Sequence, residues 1–183
     1  MTTKARATID DLYKVAENAK AEIVNGEIIL MSPTGARPGR ASFNIASSLR
    51  RNERPGSPGY AFGDNVGFVV SLPNRESFSP DAAWYVGNIE SMRFLEGAPV
   101  FAAEVRSEND YGPTAEKLMA EKRADYFAAG TLVVWDVDLL SEDVVKVYRA
   151  SEPETPTVYR HGELAEAEPA VPGWSMAVDD LFT

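Results

Sequence analysis

Apolar and polar residues change period several times along the chain, and each change marks an element. Ile9, Leu12, Tyr13 and Ala16 recur at helical spacing, which predicts an amphipathic helix over residues 9–20. Two apolar runs in AEIVNGEIIL flank Asn25-Gly26, a pair that accepts consecutive positive φ angles, so a hairpin with a type I′ turn is expected. MSPTGARPGR reads as a loop. ASFNIASSLRRN then reads as a helix, with Phe43, Ile45, Ala46 and Leu49 on one side.

Residues 55–59 break the chain, and residues 60–71 and 78–86 predict strands joined by the LPNRES turn. PVFAAEV is apolar almost without interruption, as a strand buried on both faces must be. Residues 114–129 form the strongest helical pattern and stop at Gly130. LVVWDVD and VVKVYRA follow as strands around a polar LLSED segment, and the remainder predicts a short strand or two and a closing segment around VPGWSMAVDDLF. This order implies an α/β (α+β) fold, a mixed sheet flanked by helices, in a single domain spanning residues 1–183.

Composition narrows the chemistry. There is no cysteine, which removes disulfides and thiolate zinc sites, and the lone histidine, His161, makes an imidazole metal site or a Ser-His-Asp triad improbable. Hydrolytic chemistry would have to rest on carboxylates, lysine and a hard cation. The N-terminus lacks the apolar core of a signal peptide and no run reaches membrane-spanning length, so a cytoplasmic protein with no membrane association is expected. The net charge of −10 argues against a passive nucleic-acid coat. It is uneven: residues 37–54 hold five arginines against Glu53, and residues 151–183 hold seven acids against Arg160.

Three residues sit where their side chains need a reason. Glu104 ends the most apolar strand, where a carboxylate costs several kcal/mol (roughly) unless paired or metal-bound. Asp81 opens SPDAAWYV, and if the two strands are neighbours their acids could share one divalent ion. Oxygen-only ligands suit Mg²⁺ or Mn²⁺. Lys122 falls in the middle of the stripe formed by Ala115, Leu118, Met119, Tyr126 and Ala129, when each residue is set at about 100°. Simpler readings stand beside these: a turn residue after proline for Asp81, a buried ion pair to Arg106 or Lys122 for Glu104, and a snorkelling side chain for Lys122. Asp136 and Asp138 read as a strand-terminating turn and His161 as an exposed turn residue. The Arg37 to Arg54 cluster is as consistent with a solvated helix end as with a phosphate track.

Ser79-Pro80-Asp81 followed by Ala103-Glu104-Val105-Arg106-Ser107 resembles the split acidic motif of PD-(D/E)XK nucleases. AEIVNGEIILMSPTG, SPDAAWYV, AEVRSEND, EKRADYFAAGTLVVWDVD and PGWSMAVDDLF, in this order, resemble more narrowly the Uma-two family of restriction-endonuclease type. The resemblance implies a four-stranded mixed sheet between helices, with Asp81 and Glu104 as metal ligands. It also implies Glu22 as a supporting acid and Lys122 as a catalytic lysine moved from strand to helix. Arg106 stands where the superfamily usually has its lysine, and is expected to neutralise phosphate, as are Arg37 and Arg40. The chain departs from relatives at Arg37-Pro38-Gly39, where a histidine is common, and at Glu108-Asn109-Asp110, where proline is usual.

The expectation is a Mg²⁺- or Mn²⁺-dependent endonuclease that hydrolyses DNA, with RNA or branched DNA as alternative substrates. Cutting two strands suggests a homodimer. The rival is an inactive module that keeps the fold and binds metal, nucleic acid or a protein partner.

Overall fold

The computed structural model describes residues 5–15, 20–54, 56 and 58–183. A short helix, α1 (Ile9–Leu12), is closed by a capping box in which Thr8 and Asp11 each satisfy the other's backbone amide. The helix predicted over residues 9–20 is thus only one turn among the described residues. Residues 16–19 lie outside them, and Lys20 already belongs to a strand. That strand, β1 (Lys20–Val24), pairs with β2 (Glu27–Met31) as expected, with Asn25 and Gly26 at φ 53° and 75° in the turn.

The next helix, α2 (Ala36–Asn52), starts earlier than its pattern suggested and takes in Arg37-Pro38-Gly39-Arg40. Pro38 fits there because the first-turn amides of a helix have no intrahelical partner to lose. Its buried face is Ala41, Ser42, Ile45 and Leu49, whereas Phe43 is 61% exposed, contrary to its predicted place on the core side.

The strand predicted over residues 60–71 is two pieces, β3 (Tyr60–Phe62) and β4 (Phe68–Val69), because a turn at Asp64-Asn65 (Asn65 φ 65°) divides it. The strand predicted over residues 78–86 is likewise split by Ser79-Pro80-Asp81 into β5 (Ser77–Phe78) and β6 (Ala82–Tyr85). There follow β7 (Leu95–Glu96), β8 (Phe101–Val105), the helix α3 (Pro113–Ala128), β9 (Val133–Val137) and β10 (Val145–Arg149). The chain ends with β11 (Glu152–Tyr159), β12 (Leu164–Glu166), β13 (Ser175–Ala177) and a 3-10 turn over Val178–Phe182.

The main sheet runs β11-β10-β9-β8-β6-β3, with β8 and β9 parallel and every other pair antiparallel. It therefore has six strands and not the four that the resemblance implied. The long edge strand β11 was the hardest to foresee, since it carries Pro153 and Pro156, which a sheet tolerates at an edge.

Strand alternation sends the two faces of this sheet to different partners. Ala82, Trp84, Phe101, Ala103, Val105, Trp135 and Val137 pack with Ile45 and Leu49 of α2 and with Trp174, Met176 and Leu181 from the C-terminal segment. Ala83, Tyr85, Ala102 and Val134 pack with Phe68, Phe78 and Tyr126 in a smaller core beneath α3. That smaller core stops short of the ends of β6, β8 and β9, where the chemistry-bearing side chains gather. Among the described residues no helix is long and apolar enough to cross a membrane.

Candidate active site

A cleft of about 1200 Å³ opens between α3 and the loop that leads into α2, with Asp81, Glu104, Lys122 and Lys20 on its walls. Asp81 and Glu104 meet because β6 and β8 are adjacent and antiparallel in the register Ala82↔Ala103. The Asp81 amide donates to the Ala103 carbonyl at 3.0 Å, and Asp81 Oδ2 accepts from the Val105 amide at 2.8 Å. Backbone bonds thus lay this carboxylate across the end of β8, beside Glu104.

Lys122 and Tyr126, one turn apart on α3, both reach down to Glu104. Lys122 Nζ donates to Glu104 Oε2 at 2.9 Å, and the Tyr126 hydroxyl donates to Oε1 at 2.6 Å. Tyr126 is fixed in turn by stacking on Phe78, with ring centroids 4.0 Å apart. The expected stripe on α3 is only partly core: Tyr126 is fully buried, while Leu118 is exposed and lines the cleft with Ala115 and Met119.

Glu22 joins the same group from β1. Its Oε1 lies 3.0 Å from Lys122 Nζ and accepts from the Ser79 amide at 2.9 Å, while its Oε2 accepts from Arg75 at 2.6 Å. Arg75 also donates to Asp125 at 2.8 Å and lies over the Phe78 ring. Lys20, two residues before Glu22 on the same strand face, stands 2.7 Å from Asp81 Oδ1 and 2.6 Å from Asp64 Oδ1.

These surroundings move the two glutamates in opposite directions. Burial alone would raise the Glu22 pKa, but Lys122, Arg75 and the Ser79 amide hold it below the usual carboxylate value. Burial raises Glu104 as well, and there the neighbouring charges of Asp81 and Glu22 add to it while Lys122 and Lys20 oppose it. Burial pulls the Lys122 pKa down, but Glu104 and Glu22 outweigh it and hold the ammonium charged.

Five carboxylic groups (Glu22, Asp64, Asp81, Glu104, Asp125) therefore face three basic ones (Lys20, Arg75, Lys122), so acids outnumber bases in the cluster. The oxygen-only donor set is of the kind that a hard divalent ion prefers. Among the described residues no group of three acidic or imidazole ligands stands together. An ion on Asp81 and Glu104 would need water or substrate oxygens for its other positions, as Mg²⁺ commonly does.

Of the remaining sequence candidates, Arg106 and Asp136 also line the cleft, whereas Arg37, Arg40 and His161 do not. Arg106 does not face the cleft as an open cation. It is 4% exposed, forks onto Asp136 with two contacts of 2.7 Å, and also binds Glu116. Its guanidinium is thus paired with two protein carboxylates. Asp136 is accordingly an ion-pair partner within β9 and not a turn residue, whereas Asp138 does accept from the Leu140 amide in a turn. Arg37 and Arg40 are exposed on α2 outside the cleft lining, and Arg40 donates to the Thr183 carbonyl. His161 is exposed beside Asp179.

Sequence reasoning passed over Lys20, Arg75 and Tyr126 as site residues. Lys20 carried a signal, because strand alternation puts it on the same face as Glu22. Arg75 carried none, since its reach depends on the turn at residues 71–76 folding against β1, where the Glu76 amide donates to the Ile23 carbonyl.

A family model described as "Putative restriction endonuclease", Uma2, matches residues 7–179. The chain belongs to the Uma2 family. The match to this family takes in every residue of the site just described. A crystal structure described as that of a putative nuclease belonging to DUF820 from Anabaena variabilis ATCC 29413 has the same fold. It aligns with a TM-score of 0.73 at 20% identity, over 96% of this chain and 97% of that one. No curated protein matches the sequence.

Proposed function

We propose that this Uma2 family member is a Mg²⁺- or Mn²⁺-dependent endonuclease that hydrolyses DNA phosphodiester bonds, with Asp81 and Glu104 as the metal ligands. The observation that carries the reading is the Asp81 carboxylate laid beside Glu104 on a cleft wall, in a cluster where acids outnumber bases. When bound there, a divalent ion supplies polarisation of a phosphoryl oxygen and a more acidic water.

The chain's own residues have separate tasks. Asp81 is held in place by the Val105 amide, and Glu104 by the Tyr126 hydroxyl. Lys122, kept charged between two glutamates, orients the attacking water or steadies charge that develops on the phosphate. Glu22 positions Lys122 from the buried side. A homodimer would present two such sites to the two strands of a duplex, and a cysteine-free chain suits the reducing cytoplasm.

The test is cleavage of a panel of duplex, single-stranded, branched and RNA substrates with Mg²⁺ or Mn²⁺. Asp81→Ala and Glu104→Ala should abolish cutting while the protein stays folded. Equal cutting by both variants would refute the assignment, and a preference for RNA or branched DNA would change the substrate. Sedimentation that gives only monomer at micromolar concentration would remove the dimer.

One observation favours a second reading, an inactive module. Lys20 and Lys122 pair directly with both proposed ligands, as a purely structural ion-pair network would. Metal or partner binding with no turnover on any substrate would establish it.

A further inference from the structure

Lys20 differs from Lys122 in how it is held. Lys122 lies between two inward-facing carboxylates, of which Glu22 is 6% exposed. Lys20 lies between unlike partners. Asp81 is fixed through its other oxygen by the Val105 amide, whereas Asp64 sits on the turn between β3 and β4 and is 38% exposed. Asp64 has its own support, because its Oδ1 also accepts from the Asn65 amide at 2.7 Å. Lys20, Asp64 and Asn65 all line the cleft.

We infer that Lys20 is the ammonium that meets the phosphate of the substrate, with Asp64 as its tether. This rests on the reading of Asp81 as a metal ligand. Asp81 Oδ1, 2.7 Å from Lys20 Nζ, cannot serve an ammonium and a divalent ion in the same position. Two cations drawn to one carboxylate repel each other, so Lys20 would leave Asp81 when an ion is held there. Asp64 then keeps the ammonium at the cleft wall, where an anionic phosphodiester oxygen is its complement. In the free protein Lys20 competes for Asp81 and weakens cation binding. In the substrate complex it donates to a non-bridging phosphate oxygen.

This dual role has a signature that a structural lysine lacks: its removal strengthens metal binding while it slows turnover. The experiment titrates Mn²⁺ calorimetrically into the parent, Lys20→Met and Lys20→Gln proteins, and measures cleavage at saturating Mn²⁺. Both variants should bind Mn²⁺ about tenfold more tightly, the effect of removing one nearby unit charge. They should cut about a hundredfold more slowly, and Lys20→Arg should recover part of the rate. Two variants are used so that misfolding of one leaves the other to decide. A parent that binds Mn²⁺ while the folded variants bind it equally or less tightly, or cut as fast, overturns the role of Lys20 and leaves the metal site standing. A parent that binds no Mn²⁺ overturns both.

Discussion

Two charged clusters occupy the same face of the sheet, two residues apart along the chain, yet they are built to opposite ends. Around Arg106, a planar guanidinium forks onto Asp136 and reaches Glu116, and both Arg106 and Asp136 are almost wholly buried. Around Glu104, carboxylates meet carboxylates. Asp81 and Glu104 lie side by side, and the compensating charges are point-like ammoniums, which fix geometry less firmly than a fork. The first cluster is held by a planar fork whose two central members are 4% and 5% exposed. Both line the cleft; in the second, acids outnumber bases and Glu104 is 22% exposed. Proximity to the site, or a place in a motif, is therefore a weaker guide to chemistry than whether a charge is already satisfied.

The sharpest way to break this comparison is to remove an acid from each cluster. Asp81→Ala or Glu104→Ala should cut turnover by about 10²–10³-fold or more, measured on the best substrate of the panel, with little loss of fold. Asp136→Ala leaves Arg106 buried with a half-exposed partner. It should cost about 3–5 kcal/mol in urea unfolding, because a buried charge loses its closest counter-ion. An Asp136 variant as stable as the parent would mean that the Arg106 cluster is not structural.

Next in size comes the contrast between the two glutamates. Glu22 has a lowered pKa, so its contribution to stability is present above its unfolded value, near 4.5, and is lost as pH falls through the lower folded value. Glu104 has a raised pKa, so its contribution is present below about 4.5 and is lost as pH rises through the higher folded value. Without metal at neutral pH, Glu22→Gln should destabilise by about 1–3 kcal/mol, while Glu104→Gln should be neutral or stabilising, with an advantage that grows from pH 4.5 upward. Thermal unfolding across that range would check both. The smallest effect belongs to Glu116→Gln: at 53% exposure its loss should cost no more than about 1 kcal/mol.

The comparison also explains what could be read from the residues alone. Glu104 and Lys122 stood out because each broke an apolar pattern, and they contact each other in the structure. Asp81 broke no pattern. Its place depended on Ser79-Pro80-Asp81 resembling a known motif. The ion pairs of Arg106 were not legible because its partners, Asp136 and Glu116, lie on a different strand and helix, and no local spacing reveals them. The hairpin at Asn25-Gly26 and the buried strand before Glu104 were legible because turn chemistry and burial are local. The divided strands were not, although Gly63-Asp64-Asn65 and Ser79-Pro80-Asp81 are turn residues, because the apolar residues on either side of each were read as one strand.

The most direct test of the central claim is a Mg²⁺ titration by calorimetry of the parent, Asp81→Ala and Glu116→Gln proteins. Binding should appear in the parent, survive in Glu116→Gln and vanish in Asp81→Ala, which would locate the ion in the cluster around Glu104. Binding that survives in Asp81→Ala, or none in the parent at millimolar Mg²⁺ with DNA present, would contradict the account.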